Sequence, residues 1–283
     1  MSSALWKIGE RVLDLSGKPI VMGVLNVTPD SFSDGGEFLQ TDKAIERGLE
    51  MCSEGAVIID VGGESTRPGA EPVSAEEEMA RVIPVISRLA GAVEILISID
   101  TAKANVARAA LEAGAAIVND VTGGRGDPKM MSVVQERAAG FIIMHMKGAP
   151  QTMQTNPRYG DVVAEVADFF RQQYACAIQC GIDAMAIAFD PGIGFGKTAA
   201  HNFELLANLP RLRVADRPIV LGLSRKSFLA KTIGSSRTRD RVAATVGLTS
   251  MLRERGADVF RVHDVSENVA ALRITEALME AEK

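Results

Sequence analysis

No apolar run in the 283-residue chain approaches the ~20 residues that a membrane span needs, so no membrane partner is expected. The N-terminal stretch up to Pro19 contains Glu10 and no apolar core, so no secretory signal is read. Cysteine is scarce. Cys52, Cys176 and Cys180 are odd in number and form no staple pattern, which excludes a disulfide scaffold and suits reduced thiols in a cytoplasmic protein. Cys176 and Cys180 lie one helical turn apart and are read as small core hydrophobes, because no further metal ligands lie near them in sequence. Positive charge is in deficit, with 31 Lys and Arg against 36 Asp and Glu, a net charge of −5. A general nucleic-acid binder would show a basic face, so no nucleic-acid partner is expected. A few well-placed cations can still bind a small anion inside an acidic protein. Low-complexity tracts, linkers and repeats are also missing. No zinc-like spacing occurs, no Ser-His-Asp or Cys-His order stands out, and G-x-S-x-G is absent.

What is present is the composition of an ordinary globular protein: 47% hydrophobic and 24% charged residues, which excludes disorder. Short Val- and Ile-rich runs alternate with Ala/Leu/Glu/Arg-rich segments of helical spacing. The runs are Pro19–Asn26, Ala56–Val61, Ile95–Asp100, Ala116–Asp120, Gly140–His145, Ala186–Asp190, Pro218–Leu223 and Ala257–Val262. Each is apolar on both faces, as a strand between a barrel core and a helix layer should be. Helices are predicted over Thr41–Glu54, Ser74–Leu89, Lys103–Ala113, Asp161–Gln179 and Ser266–Glu282. Ser74, three residues before Glu77, is a capping-box start, and Gly55, Gly114, Gly181 and Gly256 stand where helices turn into strands. Eight such units in a chain of this length predict one domain over residues 1–283. Its class is α/β, a (β/α)8 TIM barrel with a short N-terminal β-hairpin at Trp6–Leu15 as a lid on its bottom. A doubly wound open sheet is the alternative topology.

In such a barrel the active site lies at the C-terminal ends of the strands. Here those ends carry Asn26, Asp60, Asp100, Asn119–Asp120, His145, Asp190, Ser224–Arg225–Lys226 and Arg261–His263. A polar strand end is also what a helix cap or a ladder-closing group looks like, but the set as a whole has a particular chemistry. Its carboxylates and amides suit a polar heterocycle, and Lys226, Arg261, His263 and Arg67 suit an anion. Arg261 and His263, two apart on a strand, should share a face. His145, among Met and Ile, reads equally as a base or as a structural histidine. The run Pro191–Thr198 ends like a phosphate-binding loop, but Pro191 stands where the first glycine is required. The loops Thr28–Gly36 and Gly62–Ala70 are longer than ordinary βα connections, rich in glycine and proline, and expected to move and to carry function.

The blocks GVLNVTPDSFSDGG (Gly23–Gly36), IDVGGESTRPGA (Ile59–Ala70), SIDT (Ser98–Thr101), NDVTG (Asn119–Gly123), FDPGIGFGK (Phe189–Lys197), LGLSRKSF (Leu221–Phe228) and RVHDV (Arg261–Val265) resemble the dihydropteroate synthase family. The first two are similar to its two signature segments, and the likeness runs in order over nearly the whole chain. The resemblance implies a transferase of folate biosynthesis. It would condense 6-hydroxymethyl-7,8-dihydropterin diphosphate with 4-aminobenzoate to 7,8-dihydropteroate and diphosphate, through a pterin cation. It implies catalytic roles for Asp100, Lys226 and Arg67. Thr66, Asp100, Asn119, Asp190, Lys226, Arg261 and His263 would hold the pterin diphosphate. Arg67, Pro68, Phe195, Lys226 and Ser227 would surround the aminobenzoate. Asn26 would help hold a Mg2+ that neutralises the diphosphate. Sulfonamide inhibitors and a homodimeric partner are implied likewise. A pterin-dependent methyltransferase domain and a non-catalytic pterin binder are the alternatives.

Overall fold

The computed structural model describes residues 4–28, 37–65 and 69–282. The chain opens with strands β1 (Leu5–Ile8) and β2 (Arg11–Asp14), paired antiparallel with Leu5 opposite Asp14. Eight parallel strands follow: β3 (Ile20–Asn26), β4 (Ile58–Gly62), β5 (Leu96–Asp100), β6 (Ile117–Asp120), β7 (Gly140–Met144), β8 (Ile187–Asp190), β9 (Val220–Gly222) and β10 (Val259–Val262). Their lateral order is β8-β7-β6-β5-β4-β3-β10-β9. A parallel bridge between Phe189 and Ile219 joins β8 to β9 and closes the ring. The open-sheet alternative is thereby set aside, and each strand run read from the sequence is found in place.

The helices are α1 (Glu37–Ser53), α2 (Ala75–Ala92), α3 (Ala104–Glu112), α4 (Met130–Glu136), α5 (Val162–Gln179), α6 (Ala199–Ala207), α7 (Ser227–Ile233), α8 (Thr238–Glu254) and α9 (Val265–Ala281). Ser74 caps α2 by accepting the Glu77 N–H at 3.1 Å, and Asp161 caps α5 by accepting that of Ala164 at 2.9 Å. Four helices lie outside the sequence expectation. Two of them, α4 and α7, have seven residues each and are too short for a clear period, and α6 buries only Asn202, Leu205 and Leu206. The fourth, α8, buries Thr245, Thr249, Leu252 and Arg253, so its inward face carries little apolar signal. The placing of Cys176 and Cys180 in the core is corrected. Helix α5 buries Val166, Phe170, Gln173 and Ala177 and turns both cysteines to solvent.

Side chains two apart on a strand share a face, so each barrel strand sends successive layers into the interior. The lowest layer is apolar: Met22, Ile58, Leu96, Ile117, Ile142, Ala188, Val220 and Val259 form one cluster with Trp6, Ile8 and Leu15 of the hairpin. The Trp6 indole N–H donates to the Ala186 carbonyl at 2.9 Å, fixing the hairpin across the barrel floor. One layer higher, the same faces carry Asp60, Ser98, Asn119, Asp190, Gly222 and Arg261, all from strands that begin apolar. The helices' apolar faces pack against the outward strand residues in a separate, larger cluster.

The floor contact is testable. Trp6→Phe keeps most of the packing but leaves the Ala186 carbonyl without its buried donor. The unfolding free energy in urea should fall by about 1–3 kcal/mol. A loss below about 0.5 kcal/mol would show that the hairpin is not held by this bond.

Candidate active site

The polar layer is organised around Arg261. Its Nε donates to Asp60 Oδ2 at 2.5 Å and its Nη2 to Asp100 Oδ2 at 2.6 Å. The same Asp60 oxygen accepts from Asn119 Nδ2 at 3.0 Å. That bond directs the amide oxygen of Asn119 away from Asp60, as an acceptor for a ligand. Asp60 is fully buried, and its Oδ1, like Asp100 Oδ1 and the Ser98 hydroxyl, has no protein partner. Burial raises the Asp100 pKa to about 7 against the opposing pull of Arg261. The two carboxylates hold the Arg261 pKa above its ordinary value despite burial.

Asp190 and Lys226 face this cluster from the other side. Asp190 Oδ1 accepts the Gly192 N–H at 2.7 Å, and burial raises its pKa. The Lys226 ammonium donates to the Ile193 carbonyl and lies 4.6 Å from the centre of the Phe195 ring. Burial lowers its pKa to about 8, with Asp190 opposing. A Cβ on Gly222 would stand 3.7 Å from Asp190 Oδ2, 3.8 Å from Lys226 Nζ and 4.0 Å from Arg261 Cδ. A Cβ on Gly62 would stand 3.8 Å from both Asn26 Oδ1 and Asp100 Oδ2. The two strand glycines therefore leave space where these groups converge.

The remaining described residues lie at or just beyond the same strand ends. The His263 N–H donates to Ser224 Oγ at 3.2 Å, and its Nδ1 lies 3.1 Å from the same oxygen. Ser227 is exposed at the first turn of α7. A cavity of about 210 Å³ opens beside Asp100, between Glu64, Thr101, Val121, Met146 and Gln151. A larger one, about 320 Å³, lies at the opposite end of the barrel by Lys18, Val57 and Arg273, away from the polar layer. The smaller one lies at the strand C-termini, where such a barrel carries its site, and of the polar layer Asp100 lines it. Lys103 holds Glu64 at 2.5 Å and the buried Glu78 at 2.6 Å, which fixes the exit from β4. Thr66, Arg67 and Pro68 lie outside the described residues, as does most of the loop after β3.

Two strand-end residues are engaged in contacts within the fold. Asp120 closes its own turn by accepting from the Thr122 N–H and hydroxyl, each at 2.7 Å. His145 is buried, with its Nδ1 2.9 Å from Lys197 Nζ. Burial, reinforced by Lys197, lowers its pKa to about 2, which makes the neutral ring a weak base. Lys197 was unassigned in the sequence. Its buried Nζ also reaches the carbonyls of Gly192 and Phe195 at 3.0 Å and of His145 at 3.3 Å. The loop that looked like a phosphate cradle is thus stapled by its own lysine. Gly192 and Gly196 have φ of +64° and +63°, and a Cβ on either would lie about 2 Å from a neighbouring carbonyl oxygen.

A closed barrel with paired carboxylates, an amide and buried cations at its strand C-termini defines an enzyme-type site for a hydrogen-bonding heterocycle with an anionic arm. Residues 22–263 match the family model described as pterin binding enzyme. The dihydropteroate synthase of Synechocystis is 45% identical over 271 residues, covering 96% of this chain and 94% of that protein. The Xanthomonas albilineans dihydropteroate synthase with 4-aminobenzoic acid superposes with a TM-score of 0.91 at 43% identity, over 98% of each chain. The Yersinia pestis dihydropteroate synthase in a sulfonamide drug complex gives 0.91 at 40% identity, over 98% of this chain and 99% of that one. The chain belongs to the pterin-binding enzymes and, within them, to the dihydropteroate synthases.

The state of His145 can be read directly. Its ring resonances should not titrate between about pH 5 and pH 9 in a histidine-selective NMR series. A midpoint inside that window would return it to the list of possible bases.

Proposed function

We infer that the chain condenses 6-hydroxymethyl-7,8-dihydropterin diphosphate with 4-aminobenzoate, giving 7,8-dihydropteroate and diphosphate. The observation that carries this reading is the convergence of Asp100, Asn119, Asp190, Lys226 and Arg261 over the glycine-floored space. Those groups match a pterin's edge: carboxylates and the Asn119 amide oxygen for its N–H donors, and the Lys226 ammonium for its carbonyl and acceptor ring nitrogens. Asp190, with Oδ2 turned toward the Gly222 space, pairs with the 2-amino and N3 donors. Neither a methyltransferase domain nor a non-catalytic binder is favoured, because the relatives matched over nearly the full length are dihydropteroate synthases.

In the reaction the bond from the pterin methylene to the diphosphate oxygen breaks and its electron pair leaves with diphosphate. The aniline nitrogen attacks the methylene and then loses a proton. Asp100, as carboxylate, stabilises the cationic pterin electrostatically, and the buried setting strengthens that attraction. His263 and Arg261, with Thr66 and Arg67, form the anion site. Phe195, Pro68, Ser227 and the Lys226 stem surround the aminobenzoate, and sulfonamides, which mimic it, compete there. A Mg2+ suits the donors present, because Asn26 Oδ1 beside Asp100 offers hard oxygens and this ion takes its other ligands from phosphate and water. It would neutralise diphosphate charge. Among the described residues no cluster of three His, Cys, Asp or Glu forms a metal cage, so Asn26 is the proposed protein ligand. A homodimer belongs to the same proposal. Met251, Ile274 and Leu278 expose apolar side chains on α8 and α9, and sedimentation at micromolar concentration tests it.

Diphosphate release that depends on added 4-aminobenzoate is the direct test; release without it, or none, rejects the reading. Asp190→Asn mispairs buried donors on the pterin, so pterin-diphosphate affinity should fall about tenfold or more by calorimetry. Unchanged affinity would remove Asp190 from the pocket. Arg261→Ala should weaken diphosphate-bearing ligands more than a phosphate-free pterin; equal losses would make this arginine a purely internal counter-ion.

A further inference from the structure

The backbone that delivers Lys226 is held in a conformation that its own residues disfavour. Arg225, in the turn between β9 and α7, has φ of +60°, in the left-handed region that a residue with a Cβ enters only at a cost. Among the described residues, Ala138, Ala215 and Asp216 share that trait in turns leading into strands at the barrel floor, and Asn156 lies in the loop after β7. Arg225 differs from them in adjoining a residue of the proposed site.

Three elements hold it there. Its guanidinium makes a two-pronged pair with Asp264, Nε to Oδ2 at 3.0 Å and Nη2 to Oδ1. Asp264 ends the turn after β10, with its side chain 11% exposed. The Arg225 carbonyl accepts from Nη1 of Arg241, on α8, at 3.0 Å. Alongside, Ser224 Oγ accepts from the His263 N–H. The turn carrying Lys226 and the turn carrying His263 are thus cross-linked at two adjacent positions on each. Arg225 spends its Nε, its Nη2 and its carbonyl on these contacts, whereas Lys226, the next residue, points to Ile193 and Phe195.

We propose that Arg225, Asp264 and Arg241 form a positioning clamp. The ion pair and the held carbonyl stabilise the left-handed turn that aims Lys226 into the polar layer and keep it in register with His263. The clamp deepens the proposed function and relies on it only where turnover is measured. None of the three residues need touch substrate.

Glycine adopts the left-handed conformation without the Cβ penalty, so it separates backbone positioning from side-chain contact with a ligand. Four variants decide the matter: Arg225→Ala, Arg225→Gly, Asp264→Ala and the double variant Arg225→Gly/Asp264→Ala. Arg225→Ala loses the pair and keeps the strain. It should raise both KM values and the Kd for a phosphate-free pterin about tenfold, the factor given by ~1.4 kcal/mol of lost turn stability. Arg225→Gly should stay within about threefold of the parent, and the double variant should recover most of what Asp264→Ala loses. Equal impairment in Arg225→Gly and Arg225→Ala would overturn the clamp. So would losses confined to the diphosphate-bearing ligand, which would make Arg225 a direct anion contact. Amide exchange of residues 226–229 in the ligand-free protein needs no turnover. It should be faster in Arg225→Ala than in the parent, and unchanged exchange would also overturn the proposal. Absence of aminobenzoate-dependent diphosphate release in the parent would reject the proposed function while leaving the exchange result to judge the clamp.

Discussion

Arg261 sits between Asp60 and Asp100 inside the barrel, and the rest of the site depends on that arrangement. An arginine buried among uncharged groups would be strongly disfavoured, and two carboxylates alone at this depth would repel one another. Together they form a network with one proton in question, since burial leaves Asp100 with a pKa near 7. Asp60 spends a single oxygen on both Arg261 and Asn119, so it orients a cation and an amide at once. Removing Asp60 would leave both without their partner. The unpartnered oxygens of Asp60, Asp100 and Ser98 line the same interior, so the layer is unsaturated toward whatever enters it.

The apolar floor makes this polar layer possible. The hairpin seals the lower end with Trp6, Ile8 and Leu15, and the lowest strand residues exclude water from below. Charges one layer up are therefore open only toward the strand C-termini. Two strand glycines, Gly62 and Gly222, supply the missing volume, and the lysine-stapled loop after β8 supplies Phe195 and the Ile193 carbonyl against Lys226. Stability and chemistry are divided along the barrel axis, with packing at the bottom and unsatisfied hydrogen-bonding capacity at the top.

The strands were legible because each is apolar on both faces and ends in a polar group, a local signal. Helix α8 was not, since its buried face is built from Thr245 and Thr249, and Thr249 donates to Asn268 on α9 rather than packing as a hydrophobe. The cysteines misled because a one-turn spacing says that two residues share a face but not which face. In the site, strand ends identified Asp100, Asn119, Asp190, Lys226 and Arg261, which the fold does bring together. Their pairing was invisible: Arg261 and Asp60 lie 201 positions apart. Lys197 was hidden for a different reason. A lysine after a glycine-rich turn looks like a phosphate ligand until its buried contacts, to Gly192 and Phe195 of its own loop and to His145 at the end of β7, are seen.

A pterin that binds over Asp100 meets a buried carboxyl whose raised pKa leaves it partly protonated in the free protein. Calorimetric titration of a phosphate-free pterin in buffers of different ionisation enthalpy measures that proton. A carboxylate that accepts ligand N–H bonds must give up its proton on binding. With a free pKa of about 7, about half a proton per site should be released at pH 7. Release should approach one proton as the pH falls below that midpoint and vanish as it rises above. Binding without proton release at any pH in this range, or with net uptake, would show that Asp100 is not the carboxylate that receives the ligand's N–H donors.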